Sequence, residues 1–443
     1  MSTMKERLFE IGERVRKGFL STGADQAIII PSHVERLMVR FSNNKTTVVQ
    51  NWSMMGIDAL AVFGKKKIIT RLEDLSEDGI RKGLERAVKS APMVSDSETF
   101  TDVEGTKFPD RRSAQEIDPE RINDCISSCI GAAIKEGGER SAGIFNAEVR
   151  KVAILTSSGG EGYDERSAFE LNVRAFAGEG SGQGLTCATE MQALDADGAG
   201  RRAGITARMS RESVHWSEGS YEVILGPIIF ANLIERVGDA NSAFSVEAGI
   251  SFLAGKIGEK VATEKLTIED DGSDPKGLNS RTFDDEGVPV RKTTIVRGGE
   301  MAAYLHNKST AKRSGTSSTG NAGWVAPSPW NLKVAPGDMS MEEMISEMRR
   351  GVFVVSNWYT RFQNYATGDF STICRDGTFL IEGGEVKGAL RGVRISDNML
   401  RMLGSIRQVS SDRSWVRWWE VRTPSLVPAV LASGVMLTKA QGS

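Results

Sequence analysis

The chain has 443 residues, of which 40% are hydrophobic and 26% are charged, and its formal net charge at pH 7 is -2. These values are typical of a globular protein that divides into roughly two or three domains. With a sequence pI near 6.1, the charge balance argues against nucleic acid and against an anionic membrane surface as partners. The longest apolar run, 223–234, is too short to span a bilayer.

Cysteine usage predicts the compartment. Four cysteines in this length, with no apparent leader before Lys5, lead us to expect a reducing cytoplasm and no disulfide framework. Cys125 and Cys129 lie on the apolar stripe of a predicted helix, and no histidine is near them in sequence. We therefore interpret both as buried structural thiols rather than as a metal pair.

The first predicted domain, residues 1–98, is α+β. Helices are expected over 5–20 and 77–91, where apolar residues recur at helical spacing. Between them we expect a meander built from five strand-like segments, 26–30, 35–41, 46–51, 58–63 and 67–70. The polar stretch 95–114 is typical of a linker.

The second predicted domain, residues 99–218, is also α+β. A helix is expected over 119–137. Strands are expected after it over 142–148, 151–157, 167–176 and 185–191. The glycine-rich run 178–184 lies between the last two strands, whereas a dinucleotide-binding loop would be followed by a helix. We interpret this run as a flexible hairpin loop.

The third predicted domain, residues 219–443, is β-rich with a few helices, which makes the whole chain α+β. An apolar helix is expected to start at Pro227 and to stop at Gly238. Two later segments, 295–301 and 380–386, place Gly-Gly between alternating residues, as in β-hairpins.

The end of the apolar helix resembles a degenerate H-E-x-x-x-H metal motif. Ile234 and Asp239 stand in the two histidine positions, and Glu235 is kept. In zinc peptidases the histidines supply nitrogen ligands and the glutamate activates the metal-bound water. An isoleucine has no lone pair to donate. We therefore expect no metal site and assign no catalytic residue here, and we expect Gly238 to let the helix unwind before Asp239.

Several segments occur in a characteristic order and spacing: 223–239, 258–262, 267–272, 283–289, 318–321 and 380–382. Together they resemble the TldD/TldE family, also called PmbA or modulator of DNA gyrase proteins. The resemblance implies a catalytic branch, TldD, which is a zinc metallopeptidase with a further Cys ligand near the C-terminus, and a TldE branch that lacks these ligands and pairs with TldD. Residues 414–419, where that Cys would be expected, contain none, and we interpret the upstream Cys374 as structural.

The resemblance therefore implies a TldE-like subunit without a cofactor of its own, with zinc expected in a TldD-like partner. The implied partners are that catalytic subunit, in a heterodimer, and an unfolded peptide, with a homodimer possible in isolation. By the same resemblance, the loop formed by Ser318, Thr319, Gly320 and Asn321 would line the peptide cleft.

Two alternatives to the TldE-like interpretation stay open. Glu235 and Asp239, four residues apart, could share a helix face and bind a hard cation in an active hydrolase with a non-standard site. Alternatively, the chain could be a homo-oligomeric peptide-binding protein with no partner enzyme.

Histidines and aromatic residues offer weaker signals. His33, His215 and His306 are widely separated, so we expect ordinary hydrogen-bonded histidines rather than a three-histidine metal site. The aromatic run 414–419 is interleaved with arginines, a pattern that also occurs where proteins stack on single-stranded nucleic acid. In a slightly acidic chain we interpret it instead as a patch that packs in the core or against a partner subunit.

Overall fold

The computed structural model describes residues 3–99 and 101–440. The outermost residues of the first and third predicted domains, and residue 100 of the predicted linker, lie outside the described residues. Two large β-sheets with helices packed on them confirm the predicted α+β class. No helix in the two described ranges is both long enough and apolar enough to cross a membrane.

The first sheet has seven strands, in the order β3-β2-β1-β5-β6-β4 with β7 paired to β6. Its strands are β1 Gln26–Ser42, β2 Lys45–Phe63, β3 Lys66–Leu72, β4 Arg111–Arg112, β5 Arg140–Thr156, β6 Glu161–Ala177 and β7 Gly180–Ala188. Its helices are α1 Met4–Ser21, α2 Glu77–Ser90, α3 Pro119–Lys135 and α4 Ala196–Met209.

Strands that the sequence pattern divides are continuous in this sheet. The segments predicted at 26–30 and 35–41 belong to β1, which pairs with β2 on one side and with β5 on the other. The strand continues through Pro31, which pairs with Ile57 of β2. The ladder with β5 has a gap between Ile29 and Ser32, as expected where a proline supplies no N–H.

The predicted domain boundary at residue 98 falls within this one sheet. Strand β1 precedes the boundary in sequence and β5 follows it, yet the two strands are hydrogen-bonded neighbours. The helices nevertheless cover separate cores, α1 and α2 over one part of the sheet and α3 and α4 over another. The first two predicted domains therefore share a sheet, and their independence stays a prediction. The second sheet begins only with Gly219.

The glycine-rich run 178–184 contains the predicted hairpin turn, at residues 178–179, but residues 180–184 belong to β7, which corrects the prediction that the whole run is a flexible loop. A Cβ atom on Gly180, Gly182 or Gly184 would come within 2.3, 2.3 and 1.9 Å of backbone oxygens of α4. The absence of side chains thus lets α4 lie directly on β7. Helix α4 was not predicted, because its alanines and glycines give little apolar periodicity.

The second sheet has eleven strands, and β18 is hydrogen-bonded to β8, β12, β16 and β17 within it. Its strands are β8 Gly219–Leu225, β9 Ile268–Asp271, β10 Lys292–Arg297, β11 Glu300–Met301, β12 Leu332–Val334, β13 Arg350–Asn364, β14 Asp369–Glu382, β15 Glu385–Ala389, β16 Val393–Asn398, β17 Ile406–Trp418 and β18 Val421–Lys439. Its helices are α5 Pro227–Asn241, α6 Ala243–Glu247, α7 Lys308–Arg313, α8 Met341–Glu347 and α9 Met399–Gly404. Both predicted Gly-Gly hairpins are confirmed, as β10–β11 and β14–β15.

Candidate functional site

Helix α5 carries the degenerate motif and lies against β13 and β18 of the second sheet. Gly226 precedes it and Pro227 opens it, a position where the missing N–H has no intrahelical acceptor in any case. Ile234 is fully buried and belongs to the largest hydrophobic cluster of the described residues. The first histidine position of the motif is therefore a core position.

Glu235 is also buried, with 3% of its surface exposed. Its Oε1 accepts hydrogen bonds from the backbone N–H groups of Arg422 at 2.6 Å and Thr423 at 2.8 Å. Its Oε2 accepts a hydrogen bond from the guanidinium of Arg236. Burial raises the pKa of Glu235, and the charge of Arg236 opposes that shift. Both oxygens are thus hydrogen-bonded, Oε1 to the start of β18 and Oε2 to the next residue of the same helix.

Arg236 joins the two acidic residues of the motif. Its Nη2 contacts Glu235, and its Nη1 lies 2.9 Å from Oδ2 of Asp239. Asp239 is exposed, so the two carboxylates differ in burial. A guanidinium therefore bridges the groups that the alternative of a hard-cation site would require as free ligands.

Gly238 does not end the helix, which corrects the prediction of a stop and an unwound turn. Helix α5 continues to Asn241, and Asp239 lies within it. A Cβ atom on Gly238 would come within 2.8 Å of Leu332 Cδ1 and 3.1 Å of Pro329 Cγ. The glycine is needed for close packing against the segment around β12.

The loop predicted to line a peptide cleft lies mostly beneath the surface. Thr319, Gly320 and Asn321 are buried, and Ser318 is partly exposed. Asn321 is fully buried and donates a hydrogen bond to Asp270 at 2.6 Å. Of the predicted cleft residues, Ser318 alone keeps access to solvent, because the others support the interior of the domain.

Asp270 is the residue around which this interior is hydrogen-bonded, and sequence reasoning missed it. Its Oδ1 accepts from the backbone N–H groups of Trp330 at 2.7 Å and Asn331 at 2.9 Å. Burial raises its pKa to about 7, although these donors and Asn321 act in the opposite direction. The available signal was a run of three acidic residues, Glu269, Asp270 and Asp271, directly after Ile268.

The histidines are spread over the molecule. His33 lies in β1 and contacts Ser53 Oγ at 2.9 Å, and His306 precedes α7 and contacts Thr310 Oγ1 at 3.2 Å. These contacts agree with the interpretation of His33 and His306 as ordinary hydrogen-bonded histidines, and for His215 that interpretation stays a prediction. Within residues 3–99 and 101–440, no group of three or more His, Cys, Asp and Glu side chains is arranged to hold a metal ion.

Cysteines that the sequence suggested to be structural are buried or half-buried. Burial raises the pKa of Cys129 and that of Cys374 to about 12. Cys125 is half-buried on the same helix as Cys129. Because a thiolate is the reactive form, these thiols are poor nucleophiles and poor metal ligands at neutral pH.

The aromatic run divides between core and surface at the turn between β17 and β18. Trp418 is 3% exposed, whereas Trp419 is 51% exposed. The ring of Trp419 lies 5.8 Å from that of Tyr359, which is 45% exposed. Asn232 of α5 donates a hydrogen bond to the backbone oxygen of Glu420 at 2.7 Å, which fixes this turn to the motif helix.

Two family models match the chain. The model described as the PmbA/TldA metallopeptidase C-terminal domain matches residues 218–439, and that described as the PmbA/TldA metallopeptidase central domain matches residues 112–211. The chain belongs to the PmbA/TldD family. This family is the one that the motif segments indicated.

Individual relatives and a solved structure support the assignment to the PmbA/TldD family. The chain is 28% identical over 326 residues to a metalloprotease of Methanothermobacter thermautotrophicus, which covers 70% of this chain and 71% of that relative. It is 30% identical over 208 residues to metalloprotease PmbA of Escherichia coli O157:H7, with 45% of each chain covered, so this alignment spans less than half of that relative. The fold is similar to that of TldE from Thermococcus kodakarensis, with a TM-score of 0.84 at 22% identity over 97% of this chain and 100% of that chain.

A metal such as zinc, which the word metallopeptidase implies for the PmbA/TldD family, does not fit the residues present in this chain. Ile234 offers no lone pair, both oxygens of Glu235 are hydrogen-bonded, and the Oδ2 atom of Asp239 is paired with Arg236. A catalytic zinc site needs about three protein ligands and an open position for water. The motif helix cannot supply that set in this arrangement.

Proposed function

We propose that this chain is a TldE-like subunit that has no metal site of its own and helps to form the peptide cleft of a complex with a TldD-like metallopeptidase. The observation that carries the proposal is the Arg236 guanidinium, which binds Glu235 on one side and Asp239 on the other. The positive charge of Arg236 neutralises the two carboxylates, as a bound metal cation would do at the same place.

The chemistry of water activation supports a non-catalytic role. A general base acts only within hydrogen-bond reach of a water molecule, and without a metal that water keeps a pKa near its bulk value. Glu235 makes its hydrogen bonds to the backbone of β18 and to Arg236, so both oxygens of this carboxylate are already hydrogen-bonded within the chain.

A surface beside the motif helix supports partner binding. Trp419 and Tyr359 expose aromatic rings at the turn that Asn232 holds to α5. Tryptophan and tyrosine are enriched among the residues that dominate binding at protein interfaces. We propose that these two rings, defined here as the aromatic surface, contact the TldD-like subunit, and the slightly acidic net charge argues against nucleic acid as their partner.

Compartment and substrate follow from the same proposal. Cys125, Cys129, Cys187 and Cys374 are free thiols, which supports a reducing compartment, and we propose the cytoplasm. We propose an unfolded peptide as the substrate of the complex, because a cleft formed between two subunits excludes folded chains.

The experiment mixes the purified chain with a TldD-like protein and measures assembly by size-exclusion chromatography with light scattering and cleavage of an unstructured peptide. The chain alone should not cleave the peptide, and its addition should raise or alter cleavage by the partner. Equal partner activity with and without the chain would contradict the proposal. A stable homodimer that ignores the partner would favour the alternative of a homo-oligomeric peptide-binding protein.

A further inference from the structure

A cavity of about 440 Å³ lies between the two sheets, at the end of α5 opposite to Glu235. Strand β7 and helix α4 form one wall, and β13, β17 and the start of α5 form the other. Its apolar lining includes Leu185, Ile228, Phe353, Val355 and Val416. The cavity is therefore large enough and apolar enough to take a hydrophobic side chain.

Gln183 lines this cavity and is 2% exposed. Its Nε2 donates a hydrogen bond to Oδ1 of Asn172 at 3.3 Å, but its Oε1 has no hydrogen-bond partner among the described residues. A buried acceptor without a donor is unfavourable, since it has lost its hydrogen bond to water. A ligand that brings an N–H or O–H group to this oxygen would remove that penalty.

The first turn of α5 presents the complementary groups. Phe230 makes the first backbone hydrogen bond of the helix, to the oxygen of Gly226 at 3.0 Å, and no side chain caps the helix start. Pro227 has no N–H, so the backbone donors of this turn are those of Ile228 and Ile229. Gly226, Pro227 and Ile228 line the cavity, so an acceptor group of a ligand can reach this turn.

We propose that the cavity binds one apolar residue of an extended peptide. The amide N–H of the peptide donates to Oε1 of Gln183, a carbonyl oxygen accepts from the first turn of α5, and the side chain lies against Leu185, Phe353 and Val416. A peptide unit carries both the donor and the acceptor that the two walls require. The proposal goes beyond the proposed function, because it assigns a peptide site to this chain without a partner subunit.

Charges at the mouth of the cavity favour a neutral peptide unit over a free carboxylate. Arg202 is paired with Asp195 at 3.0 Å. Glu342 and Asp412 also line the cavity, and both are exposed. The mouth therefore carries no excess of positive charge to attract a peptide C-terminus, and the polar contacts deeper in the cavity are neutral.

The test is isothermal titration of the full chain with acetyl-Ala-Leu-Ala-amide, with acetyl-Ala-Asp-Ala-amide as the control peptide. The leucine peptide should bind saturably, and the aspartate peptide should bind at least about tenfold more weakly, because a carboxylate loses hydration in an apolar cavity. Gln183→Met keeps the size of the side chain but removes the acceptor, and it should weaken binding of the leucine peptide by about tenfold.

Ile205→Trp is a second variant, because Ile205 is a half-buried lining residue and a larger ring there would fill the cavity. It should abolish binding, whereas Met209→Trp, at the exposed end of the same helix, should leave it unchanged. Thermal unfolding would verify that each variant is folded. No saturable binding to the wild-type chain, equal binding of both peptides, or wild-type binding by either cavity variant would overturn the proposal. The titration uses no partner, so its failure would leave the proposed subunit role standing.

Discussion

Oε1 of Glu235 accepts a hydrogen bond from the backbone N–H of Arg422 at 2.6 Å. The residue that activates water in a zinc peptidase is therefore, in this chain, an attachment point between the motif helix and the longest strand of the second sheet. These hydrogen bonds give Glu235 a role in holding the helix to the sheet, and under the proposed function it takes no part in proton transfer.

Substitution of Glu235 should affect folding more than cleavage. Glu235→Gln keeps an oxygen acceptor for the β18 backbone but loses the charge opposite Arg236, and we expect a loss of about 1–3 kcal/mol in the free energy of unfolding. Glu235→Ala leaves the backbone donors and the arginine unmatched, and we expect a loss of about 3–5 kcal/mol. Urea unfolding measures both. Cleavage by the assembled complex should stay within a few-fold of wild type for Glu235→Gln.

The matched control is the same Glu→Gln change at the corresponding glutamate of a TldD-like partner, which should abolish cleavage. Assembly of both mutant complexes is checked by size-exclusion chromatography. A loss of several hundredfold from Glu235→Gln with assembly intact would show that this subunit holds working chemistry.

Purified protein should contain no stoichiometric zinc, because Ile234 is a core side chain and both oxygens of Glu235 are hydrogen-bonded within the chain. Ile234→His should not create a site. It should instead destabilise the fold by about 2–4 kcal/mol, since it places a polar ring among apolar neighbours. Elemental analysis and urea unfolding test both statements. Close to one tightly bound zinc per chain, lost when Glu235 or Asp239 is replaced, would contradict this prediction.

Gly238→Ala should destabilise the protein although alanine is the better helix former. The added methyl would come within 2.8 Å of Leu332 Cδ1, and we expect a loss of about 1–3 kcal/mol from overpacking. Gly131→Ala in α3 is the matched control, because nothing lies within 4 Å of its Cβ position. That change should stabilise by about 0.5–1 kcal/mol. Thermal unfolding of both variants measures the two changes in stability. Equal changes for Gly238→Ala and Gly131→Ala would refute the packing role of Gly238.

Stability should fall as pH rises through neutrality. Burial raises the pKa of Asp270 and that of Asp284 from 3.8 to about 7. Between the ordinary pKa of 3.8 and the folded-state pKa of about 7, these carboxyl groups bind more protons in the folded chain than in the unfolded chain. The stabilisation present at low pH is therefore lost as pH rises through about 7. Urea unfolding at pH 5, 6, 7 and 8 should show the decrease. Asp270→Asn should reduce the slope of stability against pH, and an unchanged slope would contradict the role of Asp270.

Partner binding should depend on the aromatic surface. Trp419→Ala removes a half-exposed ring beside the motif helix, and we expect the affinity for a TldD-like protein to fall by about tenfold or more. Tyr365→Ala is the control, since Tyr365 is 59% exposed and its ring stacks on Phe362. Titration by biolayer interferometry measures both. Equal losses for the two variants would count against a specific contact at Trp419.

Local patterns predicted the parts of the fold that depend on local burial. Helices α1 and α3 were predicted to within two residues at each end, because apolar residues at helical spacing form their buried faces. The Gly-Gly hairpins were predicted because positive φ values at Gly298 and Gly383 require glycine or a residue that tolerates the left-handed region.

Long-range packing explains what the patterns missed. In the sequence Gly182 indicates a loop, whereas in the structure it is a strand residue, and a Cβ atom on it would lie 2.3 Å from the backbone of α4. In the sequence Gly238 indicates the end of a helix, whereas in the structure the helix continues and the glycine lets Leu332 pack against it. The chemistry of the motif was predictable, since Ile234 cannot ligate. The anchoring of Glu235 was not, because Arg422 and Thr423 are far away in sequence and reach it only through the sheet.

The central place of β18 has a consequence for how the chain folds during synthesis. The second sheet needs β18 to join β8, β12, β16 and β17, yet β18 leaves the ribosome after all of them. Until Val421–Lys439 has been translated, the edges of these four strands that pair with β18 stay unpaired, a state prone to aggregation. The second sheet can be completed only after that. Such a chain would benefit from a chaperone that shields β8 and α5 until their last neighbour arrives.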